Sequence, residues 1–141
     1  MGMYTEFVFG AELKHDTPKE VIGVLKYIIL SNVIEKSPDM IIPKHPFFET
    51  DRWHLLGQCS SYSFGFSASC SKMVYDNITT SWLIAIRSSI KNYNNEIEKF
   101  MDWIKPYIKH GSGRREFLGY SLYEEAEEPK LYYLLPKREE S

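Results

Sequence analysis

Alternating apolar and polar residues predict several β-strands along the chain. Ser81–Ile90 is one predicted strand, in which Trp82, Ile84 and Ile86 would face one side of a sheet while Leu83, Ala85 and Arg87 face the other. Similar or shorter apolar patterns predict the remaining strands. These cover residues 4–13, 53–62, Lys72–Asp76, 117–124 and 130–135.

The first predicted helix covers residues 18–30, where apolar residues recur at three- and four-residue spacing. Its start carries Thr17 as a potential N-cap, Pro18 at the first helical position and Glu20 at the third. A hydroxyl three residues before a glutamate forms a capping box, and proline is favoured at the first helical position. This sequence therefore predicts a helix that begins immediately after Thr17.

The second predicted helix covers residues 96–109, where apolar side chains again form one continuous stripe. Asn95 is expected to cap it, with Glu98 at the third helical position. Pro106 lies in the last turns and should kink or thin them, because proline lacks the backbone N–H that an α-helix needs. A helix with a disturbed C-terminal end is therefore predicted here.

These elements follow one another in the order βαβββαββ and predict an α+β fold. We expect one domain over residues 1–141, with a polar tail at 137–141, and a largely antiparallel sheet of five or six strands with two helices on one face. Several strands carry bulky side chains at both odd and even positions, so the face opposite the helices should also be apolar.

An apolar sheet face needs a cover, and two covers are consistent with the sequence. A two-fold homodimer would bury the face against a second copy, and such dimers are the commonest symmetric assemblies. Alternatively, the proline-rich residues 37–46 could fold across it, because they contain Met40, Ile41 and Ile42. The homodimer is our expectation of the two.

Composition and charge exclude some classes of protein. Hydrophobic residues make up 43% and charged residues 26%, which is typical of a globular chain. The net charge of −2 argues against nucleic-acid binding, which relies on a basic excess, and no apolar run is long enough for a membrane span. No signal-peptide pattern is visible, and two cysteines, Cys59 and Cys70, fit free thiols in a reducing compartment. A cytoplasmic protein is expected.

No pattern of catalytic or metal-binding residues stands out. The four histidines lack the spacings of common zinc sites, and the two cysteines are too far apart in sequence for a CxxC pair. No GxSxG elbow or family-type cysteine signature marks a nucleophile, and Cys59 falls in a predicted strand, where a small buried filler is the simpler interpretation. We therefore expect no catalytic residue, no metal and no cofactor.

An aromatic and charged group follows the proline-rich segment and is the first candidate binding surface. It consists of Phe47, Phe48, Arg52 and Trp53, with Asp51 beside them. Aromatic anchors next to arginine are typical of hot spots in protein interfaces. The alternative is that Phe47 and Trp53 close the end of the sheet as core residues, and the sequence does not decide between the two.

A glycine-rich loop after the second helix is a candidate anion site. It consists of Gly111, Ser112, Gly113, Arg114 and Arg115. Glycines expose backbone N–H groups and arginines bind phosphate with two hydrogen bonds. However, phosphate sites use the positive N-terminal end of a helix, whereas this loop follows a C-terminal end. A helix-ending turn with solvated arginines is therefore the preferred interpretation.

Four stretches of the chain resemble a group of small proteins, with no established activity, that are encoded by tailed bacteriophages and prophages of Gram-positive bacteria. The stretches are residues 4–13, His45-Pro46-Phe47-Phe48 with Asp51-Arg52-Trp53, residues 90–93, and Gly111-Ser112-Gly113 with Phe117-Leu118-Gly119-Tyr120. The resemblance implies a phage accessory protein made inside the bacterial host. Such proteins often bind a host factor or a defence component.

The functional hypothesis is a non-enzymatic protein that binds a host or phage protein, with counter-defence as one such role. The aromatic excess and the missing catalytic signatures favour it. The alternative is a binder of, or enzyme acting on, a nucleotide-like small molecule at residues 111–115. A nucleic-acid binder that stacks bases on tyrosines is a third hypothesis.

Overall fold

Five strands form one antiparallel sheet whose order differs from the order along the chain. The computed structural model describes residues 4–30, 36–57, 71–110 and 116–134. Its strands are β1 (Thr5–Glu12), β2 (Lys72–Asp76), β3 (Ser81–Ile90), β4 (Glu116–Tyr123) and β5 (Lys130–Leu134). They lie side by side in the order β2-β3-β1-β4-β5, so the first strand of the chain occupies the centre of the sheet.

The central strand β1 is hydrogen-bonded on both sides. Phe9 lies opposite Ile86 of β3 on one side and Gly119 of β4 on the other. Successive side chains of a strand point to opposite faces of the sheet, so Phe7 and Phe9 share one face with Ile86. All three of these side chains are buried. This face of the sheet is therefore the floor of the hydrophobic core.

Two helices cover this buried face: α1 (Lys19–Leu30) and α2 (Glu96–Ile104). In α2, the ring of Phe100 packs edge-on against Phe7 and Phe9, with centroids 6.0 and 5.5 Å away. In α1, the Lys26 ammonium lies over the ring of Trp82, an even-numbered residue of β3 on the same face. The predicted α+β class, with a largely antiparallel sheet and both helices on one face, is confirmed.

Both helices begin close to the predicted positions, but α2 ends at Ile104 rather than at residue 109, and the N-terminal caps differ from those predicted. Asn95 adopts a left-handed conformation with φ 58° and makes no side-chain cap. Asn92 takes its place: its Oδ1 accepts a hydrogen bond from the Ile97 N–H at 2.9 Å, and its Nδ2 donates to Glu98. The loop before α2 bends so that Asn92, rather than the sequence-adjacent Asn95, reaches the N-terminal end of the helix. The prediction that Asn95 caps α2 is therefore wrong.

The other two helix-end predictions also have definite outcomes. The Thr17 hydroxyl donates to the Lys14 carbonyl at 2.7 Å, so among the described residues it closes the preceding turn and makes no capping-box bond to α1. At the far end of α2 the chain continues as a 3₁₀ turn over Lys105–Tyr107, which includes Pro106. This change of helix type fits the expected effect of the proline.

The predicted strand over residues 53–62 is wrong where the structure describes it. Residues 46–57 contain two 3₁₀ turns, Pro46–Glu49 and Trp53–Leu55, followed by a further turn. Pro46 fixes a φ suited to the first turn, and the rings of that turn then pack against α2, an arrangement that an extended strand would not permit. Residues 58–62 lie outside the described residues.

An irregularity in β4 brings two backbones into close approach. The register between β4 and β5 shifts between Phe117 and Gly119, and Gly119 has φ 155°, a conformation that only glycine adopts readily. A Cβ atom added to Gly119 would lie 1.9 Å from the carbonyl oxygen of Val8 in the central strand. Glycine is therefore required here both for its backbone conformation and for the approach of β4 to β1.

We predict that Gly119→Ala lowers the free energy of unfolding by about 3 kcal/mol or more, since strain and a backbone clash add together. The matched control is Gly23→Ala in α1, where an added Cβ meets no atom within 4 Å. It should raise stability by about 0.5–1 kcal/mol, because alanine favours a helix over glycine. Urea unfolding of both variants measures the difference. Equal stabilities would show that the close approach to Val8 does not constrain the sheet.

Candidate functional site

The sheet face opposite the helices carries large apolar side chains that remain exposed. We call it the open face, and it is formed by side chains of all five strands. Its residues include Glu6, Val8, Lys72, Val74, Leu83, Ala85, Arg87, Phe117, Tyr120, Leu122, Leu131 and Tyr133, with the polar residues Glu12, Asp76, Ser81 and Ser89 towards its edges. Phe117 is 55% exposed, Val74 51% and Leu131 50%. The open face is therefore an apolar surface rather than the polar outer face typical of an antiparallel sheet.

Cross-strand pairs make the open face continuous. Leu131 lies opposite Tyr120, Tyr120 opposite Val8, and Val8 opposite Arg87, so one row of side chains crosses four strands. At one end of the sheet the rings of Phe117 and Tyr133 meet with centroids 5.4 Å apart. At the other end Val74 pairs with Leu83.

The centre of the open face is polar. The Tyr120 hydroxyl donates to Glu6 Oε2 at 3.3 Å, and Arg87 and Tyr120 lie opposite Val8 on its two sides. Partial burial, together with the negative charge of Glu6, raises the pKa of Tyr120 above 10.0, while Arg87 opposes this effect. Tyr120 therefore stays protonated at neutral pH and serves as a hydrogen-bond donor.

None of the described elements covers the open face. Both helices lie on the opposite side of the sheet, and residues 36–46 run beside α1, where Met40 and Ile41 line a cleft with Gly23 and Tyr27. Met40 also packs against the hydrophobic core from that side. The alternative in which residues 37–46 fold across the open face is therefore wrong.

The predicted surface around Phe47 lies on the helix side and is partly core. Phe47 is fully buried, and its ring stacks on Trp103 with centroids 6.0 Å apart and meets Phe100 edge-on. Its ring cannot contact a partner, which corrects its assignment as a binding residue. The physical reason is that the 3₁₀ turn Pro46–Glu49 directs this side chain inward onto α2.

The other members of this group keep part of their surface. Phe48 and Trp53 are half-buried, and each ring packs against a core aromatic: Phe48 against Trp103 and Trp53 against Phe47. The Arg52 guanidinium lies over the Tyr93 ring, 5.1 Å from its centroid. Phe48, Arg52 and Trp53 thus form a small surface supported by the core, and their assignment to a binding site stays a prediction.

A histidine–carboxylate pair at this position has a structural role. His45 Nδ1 accepts a hydrogen bond from the Phe47 N–H at 3.0 Å, which assigns the ring proton to Nε2, and Nε2 donates to Asp102 at 2.9 Å. Both ring nitrogens are therefore engaged in capping the 3₁₀ turn and tying it to α2. A His–Asp pair of this kind does not provide a general base.

The remaining candidates cannot be placed. Gly111, Ser112, Gly113, Arg114 and Arg115 lie outside the described residues, as do Cys59 and Cys70. Among residues 4–30, 36–57, 71–110 and 116–134, no group of three His, Cys, Asp or Glu side chains is arranged to hold a metal ion. Over the same ranges, no helix is long and apolar enough to cross a membrane.

Comparison with known proteins adds no relationship: no family model, no curated protein and no solved structure matches this chain.

Sequence reasoning anticipated an apolar open face but did not pick out its residues as a site. The available signal was the presence of bulky side chains at both parities in β3, β4 and β5. Leu131 and Phe117 could be assigned to the outer face only if the register shift near Gly119 were known. One extra residue in a strand reverses which of its side chains face outward.

We predict that Phe47→Ala lowers the free energy of unfolding by about 3–5 kcal/mol, the range for removing a large buried aromatic side chain. Trp53→Ala should cost less, about 2 kcal/mol, because part of the Trp53 ring is exposed and contributes no buried area. Urea denaturation followed by circular dichroism measures both. If Trp53→Ala leaves stability within about 0.5 kcal/mol of the wild type, Trp53 is a surface residue and not part of the core.

Proposed function

We propose that this chain is a non-enzymatic protein-binding domain and that the open face is its interface. The single observation that carries the proposal is the exposure of Phe117, Val74 and Leu131 on one continuous sheet face. Exposed apolar patches of more than a few hundred Å² are rare on proteins that act alone, and they mark sites of protein interaction.

The composition of the open face supports a protein partner. Aromatic side chains and arginine are enriched in protein interfaces, where they combine large contact area with hydrogen bonding. Here Tyr120 and Arg87 lie at the centre, and aliphatic and aromatic side chains surround them. A partner that packs its own apolar side chains on the rows around this centre would fit this pattern.

The proposed partner is a protein of a bacterial host or of its phage, with counter-defence as one role that such binding could serve. This part of the proposal depends on the resemblance of four sequence stretches to phage-encoded proteins. The fold alone does not define a function, so the identity of the partner has to come from an experiment.

A second copy is the expected occupant of the open face when no partner is present. The eight residues of β1 extend for about 26 Å, and five strands side by side span roughly 24 Å. Treated as a flat rectangle, the open face therefore has an area of roughly 600 Å². A standard interface buries about 800 Å² on each partner. Two such faces could pack as aligned sheets, about 10 Å apart.

We predict that the wild-type protein sediments as a dimer at high concentration and dissociates on dilution. The double variant Val74→Lys with Leu131→Lys should be monomeric throughout, because a dimer would have to bury two added charges on each protomer. The control is Ile78→Lys in the β2–β3 turn, at a residue that is 92% exposed and lies outside the open face. A wild-type monomer at every concentration would refute self-association.

The binding function itself is tested by photocrosslinking in the host cell. A photoreactive phenylalanine analogue at Leu131 should give one dominant crosslinked protein, whereas the same analogue at Ile78 should give none. Lys72→Glu with Val74→Lys, made in the Leu131 probe background, should remove that crosslink while melting temperature stays within a few degrees. Equal crosslinking from both positions, or a crosslink that survives the double substitution, would contradict the open face as the interface.

A further inference from the structure

A cleft of about 450 Å³ lies on the helix side of the sheet, away from the open face. It is bounded by the loop before α1, by the N-terminal half of α1, and by the outer end of the β2–β3 hairpin. The side chains that matter for its chemistry are Lys14, His15, Lys19, Lys26, Tyr75 and Trp82. Its volume lies in the range of small-ligand sites.

The cleft is basic although the chain as a whole carries a net charge of −2. Three lysines and one histidine line it, and within the described part of the chain no carboxylate does. Two acidic groups beside the cleft have partners of their own: Glu12 accepts from Ser81, which lines the cleft, and pairs with Lys109, while Asp76 accepts from the Ile78 N–H. Among the described residues, no salt bridge pairs Lys14, Lys19 or Lys26 with a carboxylate, which favours an anionic ligand.

Two of the basic groups are held in place. His15 Nδ1 lies 2.9 Å from the Thr80 carbonyl oxygen, so the Nδ1–H donates to it and Nε2 is directed away from this bond. The Lys26 ammonium lies over the Trp82 ring, 4.7 Å from its centroid. A cation–π contact restrains a lysine without neutralising it, so the charge stays available to a ligand.

An exposed aromatic ring completes the cleft. Tyr75 is 44% exposed, and its ring meets Trp82 edge-on with centroids 5.3 Å apart. Lys26 already occupies one face of Trp82, which leaves Tyr75 as the accessible platform. Planar bases stack on such rings in a sequence-tolerant manner.

We propose that this cleft binds a free nucleoside phosphate. Lys14, Lys19 and Lys26 would contact the phosphate oxygens, and the base would stack on Tyr75. The N-terminal end of α1, a twelve-residue helix, adds partial positive charge at the same place. The site differs from the glycine-rich loop at residues 111–115, and it does not depend on the open face.

A free nucleotide fits better than a nucleic-acid strand. Asp16 and Glu20 are exposed next to the cleft but do not line it, so a strand that continued beyond one nucleotide would meet carboxylates. These carboxylates are like-charged with a polyanion and oppose the binding of a strand longer than the cleft. The ligand is therefore expected to end within the cleft.

Calorimetric titration with ADP, with inorganic pyrophosphate and with a single-stranded hexanucleotide tests the proposal. Wild-type protein should bind ADP saturably at micromolar to submillimolar concentration. Lys19→Gln and Lys26→Gln should each weaken ADP binding about tenfold, the effect of losing one charge-assisted hydrogen bond. Lys105→Gln, which removes the same charge from an exposed position after α2, is the control and should change affinity less than twofold.

The aromatic part of the proposal has its own test. Tyr75→Ala should weaken ADP binding about tenfold, within the range for losing one base–aromatic stack, and leave pyrophosphate binding unchanged. Absence of saturable ADP binding at millimolar concentration overturns the proposal, as does an equal effect of Lys105→Gln. Tighter binding of the hexanucleotide than of ADP overturns the free nucleotide as the ligand.

Discussion

The packing of Phe100 against Phe7 and Phe9 is the contact on which the rest of the structure depends. It joins α2 to the central strand, and Tyr132 of β5 closes the same cluster with an edge-on contact to Phe7. Aromatic pairs in this geometry contribute about 0.5–1.5 kcal/mol beyond the area they bury. Because β1 is paired on both sides, fixing one of its faces against α2 fixes the orientation of all five strands.

Both helices pack on the same face of the sheet, and this arrangement determines which surfaces remain accessible for binding. The aromatic residues 47–53 add to the helix side and thicken the core there, so they contribute little free surface. The opposite side keeps its apolar rows without a cover among the described elements. The lysine cleft forms at the periphery of the core, where α1 meets the edge of the sheet, and so the two proposed surfaces lie on different sides of the molecule.

Periodicity predicted most of the fold because the two-residue alternation of a strand differs clearly from the three- and four-residue spacing of a helix. Ser81–Ile90 and Lys72–Asp76 have the bounds expected from alternation, and the helical stripe of α2 is the buried one. The strand predicted at residues 53–57 is wrong because a short apolar run after prolines is compatible both with a strand and with packed 3₁₀ turns, and the sequence pattern alone does not distinguish them. The Asn92 cap was missed because its position depends on how the loop bends. The lysine cleft could not be predicted, since it joins residues 14–26 to residues 75–82 through tertiary packing alone.

The central position of β1 has a consequence for how the chain acquires its structure. Tyr4 at the start of this strand is hydrogen-bonded to Glu124, 120 positions later, and the intervening β3 forms its other border. Loop closure over such separations slows folding, because chain entropy is lost before the pairing energy is gained. Because β1 precedes β3 and β4 in the chain, Phe7 and Phe9 are synthesised before either partner strand and stay unpaired until β3 and then β4 follow. The core-facing phenylalanines of the central strand therefore stay exposed in the nascent chain until β4 has been made, and this exposure is an aggregation risk that the order of the strands builds into synthesis.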